Sequence, residues 1–221
     1  MNILENQVVI FYISKKVQKM LVLCIVLWYN NYGIQIILCR LCSGRMESTM
    51  NSAYVYLQIY RMFDNCTPLS VDCGELCSHA CCSGDDAGMF LFPGEEKVYE
   101  LLKPEGFRME ISDFTYDDNG KIRKTPILFC DGRCDRYIRP LACRIFPITP
   151  ILDKDGNIEI ITDPRARRLC PLAKTFSVEE YESRFVRTVR KAFLLLSKNK
   201  HCLSFLRQYT EYINEFNKFF S

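Results

Sequence analysis

At 221 residues, 48% hydrophobic and 25% charged, the chain can bury one real core and is too mixed in composition to be disordered or fibrous. Its net charge of +3 comes entirely from residues 1–49, because residues 50–221 carry 24 cationic and 24 anionic side chains. A neutral main body excludes a general electrostatic affinity for nucleic acid.

Residues 1–49 differ in kind from the rest. Ten apolar residues run from Met20 to Tyr29, and Asn30, Asn31 and Gln35 interrupt the second run that ends at Cys39. A membrane span needs about 20 mostly apolar residues, so residues 20–39 make at best a weak anchor. A secretory signal would show a compact apolar region and a small-residue cleavage site, which Glu5 and the long lead-in do not fit. Three readings stay open: a weak membrane segment, an appended β/α element, or an extension produced by a wrong start upstream of Met46 or Met50. We expect the last, with residues 50–221 forming a single cysteine-cluster domain.

Residues 53–63 read as a short helix or strand. After the apolar run Met89–Phe92, Pro93-Gly94 opens a helix from Glu95 to Leu102 with acids in its first turn, and Pro104 and Gly106 end it. Met109–Tyr116 partly alternates, Asp117-Asp118-Asn119-Gly120 is a hairpin turn, and Ile122–Phe129 leads the chain to Cys130. A second hairpin joins Ile145–Leu152 to Ile158–Ile161 through residues 153–157. Its aspartates lack the glycine offset and distal Glu of a calcium loop, so the turn is read as solvated.

From Ser177 the pattern turns helical. Ser177-Val-Glu-Glu180 is a capping box, and Val178, Tyr181, Phe185, Val189, Phe193 and Leu196 follow at helical spacing. A break at Asn199–His201 precedes a second helix with Leu206, Tyr209, Ile213, Phe216 and Phe220 on one face. The expected fold is α+β: small β-hairpins and helices organised around a cysteine-ligated site, closed by an antiparallel helix pair over residues 177–220.

The chain has thirteen cysteines, and eight lie between residues 73 and 170. The first group is Cys73-x3-Cys77-x3-Cys81-Cys82. The second comprises Cys130-x3-Cys134, Cys143 within Arg139-Pro-Leu-Ala-Cys-Arg144, and Cys170 before Pro171. Adjacent α-carbons sit about 3.8 Å apart, whereas a relaxed disulfide wants roughly 4.4–6.8 Å. Cys81 and Cys82 therefore cannot pair with each other without strain. Metal or cluster binding ranks ahead of a disulfide scaffold, since soft thiolates at short spacing bind zinc or iron–sulfur clusters.

On a helix, Cys73, Cys77 and Cys81 would share one face, with β-carbons about 5–6 Å apart from one to the next. That spread suits several corners of a cubane cluster, although ligands at i and i+4 can also hold zinc. The second group supplies one site with the first, or makes a second. Arg123, Lys124, Arg133, Arg136, Arg139 and Arg144 surround it against Asp131 and Asp135. Such cations stabilise thiolates, and we expect Arg139 and Arg144, which bracket Cys143, to contact a cofactor. His79 is a lesser ligand candidate. Cys24, Cys39, Cys42, Cys66 and Cys202 are read as bystanders.

The first group, the Phe90-Leu-Phe-Pro-Gly-Glu95 segment and above all Cys134-Asp-Arg-Tyr-Ile-Arg-Pro-Leu-Ala-Cys-Arg-Ile-Phe-Pro147 resemble the bacterial YkgJ family of cysteine-cluster proteins, described as zinc- or iron-chelating. The resemblance spans roughly residues 73–170. Here each gap in the first group is one residue longer than the family's Cys-x2-Cys-x2-Cys-Cys. The resemblance implies metal binding by Cys73, Cys77, Cys81, Cys82, Cys130, Cys134, Cys143 and Cys170, and no substrate. A more distant resemblance to flagellin lysine N-methylases implies S-adenosylmethionine chemistry as a further reading.

The leading expectation is a cytoplasmic protein with one or two iron–sulfur clusters, 4Fe-4S favoured. It would serve electron transfer to a protein or redox partner, or form part of a modifying enzyme. A structural-zinc interaction module comes second and an S-adenosylmethionine-dependent lysine N-methylase third. The usual Cys-x3-Cys-x2-Cys triplet of radical enzymes is missing, which lowers the third. Hydrolase chemistry is disfavoured, because only His79 and His201 are available and neither accompanies a nucleophile motif.

Overall fold

The computed structural model describes residues 8–10, 25–30, 33–38, 45–71, 73–82, 88–132 and 134–220. Cys24, Cys39, Cys42, Arg133 and, within the 20–39 apolar stretch, residues 20–24, 31, 32 and 39 lie outside them. The chain divides into two compact units, Met1–Asn51 and Ser52–Ser221. In the first, strands β1 (Val8–Ile10), β2 (Ile25–Asn30) and β3 (Gly33–Leu38) pair antiparallel in that order. Helix α1 (Arg45–Met62) runs through both Met46 and Met50 and across the division. Among the described residues no helix is long and apolar enough to cross a membrane.

The second unit mixes helices with two small antiparallel sheets, an α+β arrangement. After α1 come α2 (Cys73–Cys77), β4 (Met89–Phe90), α3 (Glu96–Leu102), β5 (Phe107–Asp117) and β6 (Ile122–Cys130). Strand β6 is central, flanked by β4 and β5. The β5–β6 ladder runs from Phe107 opposite Cys130 to Asp117 opposite Ile122, with a bulge between Ile111 and Thr115. At the turn, Asn119 and Gly120 take positive φ and Gly120 N donates to Asp117 Oδ1 at 2.5 Å. The first hairpin therefore forms where its Asp-Asp-Asn-Gly signal lies.

The second hairpin begins later than expected. Residues Leu141–Ile145 form helix α4, and only then do β7 (Ile148–Leu152) and β8 (Ile158–Thr162) pair. Asp153 closes that turn on itself, accepting from Asp155 N at 2.9 Å and Asn157 N at 2.7 Å. Its carboxylate is thus engaged with its own backbone. Short α5 (Pro171–Thr175) follows, with Pro171 at the first helical position, where a missing N–H costs nothing.

The capping box at Ser177 is present, yet it starts a single 3₁₀ turn over Val178–Glu180. Helix α6 (Ser183–Leu196) begins after it, and α7 (Lys200–Phe220) follows. Phe185, Val189, Ala192, Phe193 and Leu196 on α6 and Phe205, Leu206, Tyr209 and Ile213 on α7 are buried. They meet Tyr56, Ile59, Tyr60 and Phe63 of α1 and Leu91 and Phe92 in one core. Phe205 sits among rings, edge-on to Phe92, Phe114 and Tyr116 and stacked on Tyr209. Polar ties fix α7 on the second hairpin: Thr149 Oγ1 meets Tyr209 OH at 2.9 Å, and Leu152 N donates to Thr210 Oγ1.

Asp118 anchors the first hairpin to the start of α7. Its buried carboxylate meets His201 Nδ1 at 2.7 Å and Arg123 Nε at 3.1 Å. His201 first, and Arg123 after it, hold that carboxyl below the usual carboxylate range. A depressed native pKa contributes stability that is fully present above the ordinary carboxylate pKa and is lost as pH falls through the depressed value. Asp118→Asn should therefore flatten the acid limb of stability measured by urea unfolding at a series of pH values.

Candidate metal centre

The cysteines sit on elements too short to hold themselves. A five-residue helix is below the length at which helix formation becomes favourable on its own. Helix α2 carries Cys73 and Cys77 and stops there, because Ser78 and His79 both take left-handed backbone angles, φ 51° and 56°. Cys81 and Cys82 lie on a separate 3₁₀ turn, Ala80–Cys82. The expectation of one helical face shared by Cys73, Cys77 and Cys81 is therefore corrected: two left-handed residues redirect the chain between the second and third thiols.

Cys130 ends β6, Cys134 lies in the following loop, Cys143 is central in α4, and Cys170 immediately precedes α5. A cavity of about 90 Å³ collects Cys73, Cys77, Cys81, Cys82, Cys143 and Cys170 on its wall, together with Cys66 and His79. Cys66, read as a bystander, is thus part of the wall. Cys202 is elsewhere, buried between Tyr56 OH and Pro93 O.

Cys130 and Cys134 do not line the cavity, but they stand close to its thiols. Gly132, between them, takes φ +80°, and a β-carbon there would lie 2.9 Å from Cys82 O. Burial first, then the Cys134, Cys82 and Cys130 thiols, push the Cys143 thiol up, while Arg139 pulls it down. The Cys81 thiol is pushed up by its contact with Cys82, by burial, and by Cys77 and Cys143. The two sequence groups thus feel each other's charge. The Cys81 and Cys82 sulfurs are 3.8 Å apart, in hydrogen-bond contact and not joined by a disulfide. Among the described residues no three His, Cys, Asp or Glu side chains converge on a point where one ion would sit.

Arginines supply the positive charge. Arg136, Arg139 and Arg144 line the cavity, and no Asp or Glu does among the described residues. Burial works against the Arg139 charge, but a hydrogen bond to Cys134 and the Cys82 and Cys143 thiols outweigh it and hold the guanidinium more firmly protonated. Arg144 faces backbone instead, donating to Arg139 O at 2.7 Å, Arg136 O at 2.6 Å and Tyr60 O at 3.2 Å.

Glu95 holds this assembly from behind. It is fully buried and accepts from Tyr60 OH at 2.5 Å, Phe92 N at 3.0 Å and Leu141 N at 2.6 Å. The last bond caps α4, the helix of Cys143, with the acceptor its N-terminus prefers. By sequence Glu95 is an acid in the first turn of a helix, and its role here has no signal short of knowing partners 35 and 46 positions away. Burial pushes its carboxyl up to about 7, against the pull of Leu141 N–H, Tyr60 OH, Phe92 N–H and Arg144.

No family model, curated protein or solved structure matches the chain.

Two outcomes follow from this geometry. Glu95→Ala leaves the buried Phe92 and Leu141 N–H groups without acceptors and the Tyr60 hydroxyl with only the Tyr99 hydroxyl at 3.5 Å. At about 1–3 kcal/mol for each unpaired donor, denaturant unfolding should show a loss of about 2 kcal/mol or more. Because the native carboxyl is raised above its unfolded value, wild-type stability should fall as pH rises from about 4.3 to about 7 and then level off; Glu95→Gln should lack that slope. Gly132→Ala adds a strained φ and a clash with Cys82 O. It should separate the two cysteine groups, read as faster alkylation of Cys143 by iodoacetamide.

Proposed function

We propose that the second unit is a metal–thiolate protein, and that the group it holds is an iron–sulfur cluster serving electron transfer or a modifying enzyme. The observation that carries this reading is the gathering of six of the eight expected ligand thiols from four separate short elements, with Cys66 beside them, around one cavity of about 90 Å³ that three arginines also line and that is free of carboxylates among the described residues. Burial, and after it the charge of neighbouring thiols, raises the Cys130 and Cys143 thiols, and contact with Cys82 raises Cys81, so these groups resist ionising together in the bare chain. A bound cationic iron core offsets that repulsion and stabilises the thiolates. The YkgJ-like run from Cys134 to Pro147 supports the same reading.

Cys73, Cys77, Cys81, Cys82, Cys143 and Cys170 would hold the group, with Cys130 and Cys134 beside them as further ligands or as a second site. An iron–sulfur cluster supplies one-electron transfer when bound. The protein's own groups hold the thiols in place through α2, α4 and the α5 start, keep carboxylates off the described wall, and place arginines on it. A cytoplasmic setting, in which thiols stay reduced, suits this chemistry.

Zinc is the second reading, favoured by one distance. Thiolates bound to one tetrahedral zinc at about 2.3 Å stand about 3.8 Å apart, and Cys81 and Cys82 have that separation. S-adenosylmethionine-dependent methylation rests on the distant resemblance alone.

Protein purified without oxygen should be brown and carry iron and acid-labile sulfide. Cys81→Ser or Cys143→Ser should lose most of the metal, measured by elemental analysis. Colourless protein with stoichiometric zinc would replace the cluster reading with the structural-zinc one, and metal content unchanged in both variants would remove these ligands.

A further inference from the structure

Arg139 and Arg144 bracket Cys143 in the sequence, and the fold gives them different work. Arg144 directs its guanidinium at the carbonyls of Arg139, Arg136 and Tyr60 and lies over the Tyr60 ring. It braces the loop against α1. Arg139 contributes its carbonyl to that brace, but its own side chain lines the thiol cavity.

The Arg139 Nε–H is buried and has no acceptor among the described residues. Buried donors in native proteins are paired as a rule, and an exception calls for an acceptor that the bare chain does not supply. The guanidinium already hydrogen-bonds the Cys134 thiol, and the Cys82 and Cys143 thiols act on its charge. With no Asp or Glu on the described cavity wall, the acceptor that fits is a sulfur of the group bound there.

We infer that Arg139 is the charge-setting residue of the thiolate centre, donating its Nε–H to a sulfur of the bound group and offsetting the thiolate charge. This rests on the metal–thiolate reading and adds a division of labour to it. Outer-shell donors of this kind hold ligating atoms in place, and hydrogen bonds to sulfur set the potential of a cluster. Removing a cation beside the centre makes adding an electron harder.

The test compares wild type, Arg139→Gln, Arg139→Lys and Arg144→Gln, all purified without oxygen. The readouts are metal per chain, affinity by chelator competition, midpoint potential by redox titration, and thermal melting by circular dichroism. R139Q should melt near the wild type yet bind metal about ten- to a hundredfold more weakly, with a more negative midpoint potential if the metal is iron. R139K keeps the charge without the Nε donor and should fall between. R144Q should lose melting temperature, because the buried Tyr60 carbonyl and the part-buried Arg136 and Arg139 carbonyls lose their donor. Metal-loaded wild type with R139Q at the same affinity and potential would overturn the role of Arg139 and leave the metal reading standing. Wild-type protein without metal would overturn both. Should R139Q fail to fold, R139K decides: wild-type values in it overturn the Nε donation.

Discussion

The cysteine region depends on one buried polar network. Glu95 receives Tyr60 OH, Phe92 N and Leu141 N, and Arg144 returns from α4 to the carbonyls of Tyr60, Arg136 and Arg139. These bonds join α1, the start of α3, the loop at residues 136–139 and α4. Without them the five-residue α4 has little reason to exist, since so short a helix gains too few backbone bonds to offset the cost of ordering. Cys143 would lose its position with it. The network is buried and charged, so it tolerates no partial version: a missing partner leaves desolvated groups unpaired.

Around that anchor, the fold solves a problem of charge. Thiols from both sequence groups stand close enough to raise one another, and the groups that could balance them are arginines. Gly132 permits the close approach, because any β-carbon there would meet Cys82 O. The aromatic core behind, centred on Phe205 and the α6–α7 pair, gives these loops and short helices a rigid backing. A site assembled from short elements on a rigid core is suited to a bound group that completes the assembly, and iron–sulfur or zinc binding are the two readings that use it.

Much of the scaffold was legible in the sequence. The α6 and α7 stripes were visible as helical spacing, and Phe185, Val189, Phe193, Leu206, Tyr209 and Ile213 are indeed buried. Both hairpin turns carried their signals in Asp, Asn and Gly. Missed features depended on what lies far off in sequence or on single backbone angles. Tyr181 continues the helical spacing but falls in the connection between a 3₁₀ turn and α6. Ser78 and His79 gave no warning of a left-handed break, since neither residue type demands one. The bracketing of Cys143 by Arg139 and Arg144 concealed that one side chain meets backbone and the other meets thiols. Glu95 looked like a first-turn acid because its three donors come from the chain before and after it.

The most direct test of the account is X-ray absorption at the edge of whichever metal the anaerobically purified protein carries. The account predicts a first shell made of sulfur at about 2.3 Å, and for iron a second shell of metal neighbours as in a cluster. A first shell dominated by oxygen or nitrogen, or a protein that retains no metal at all, would contradict it.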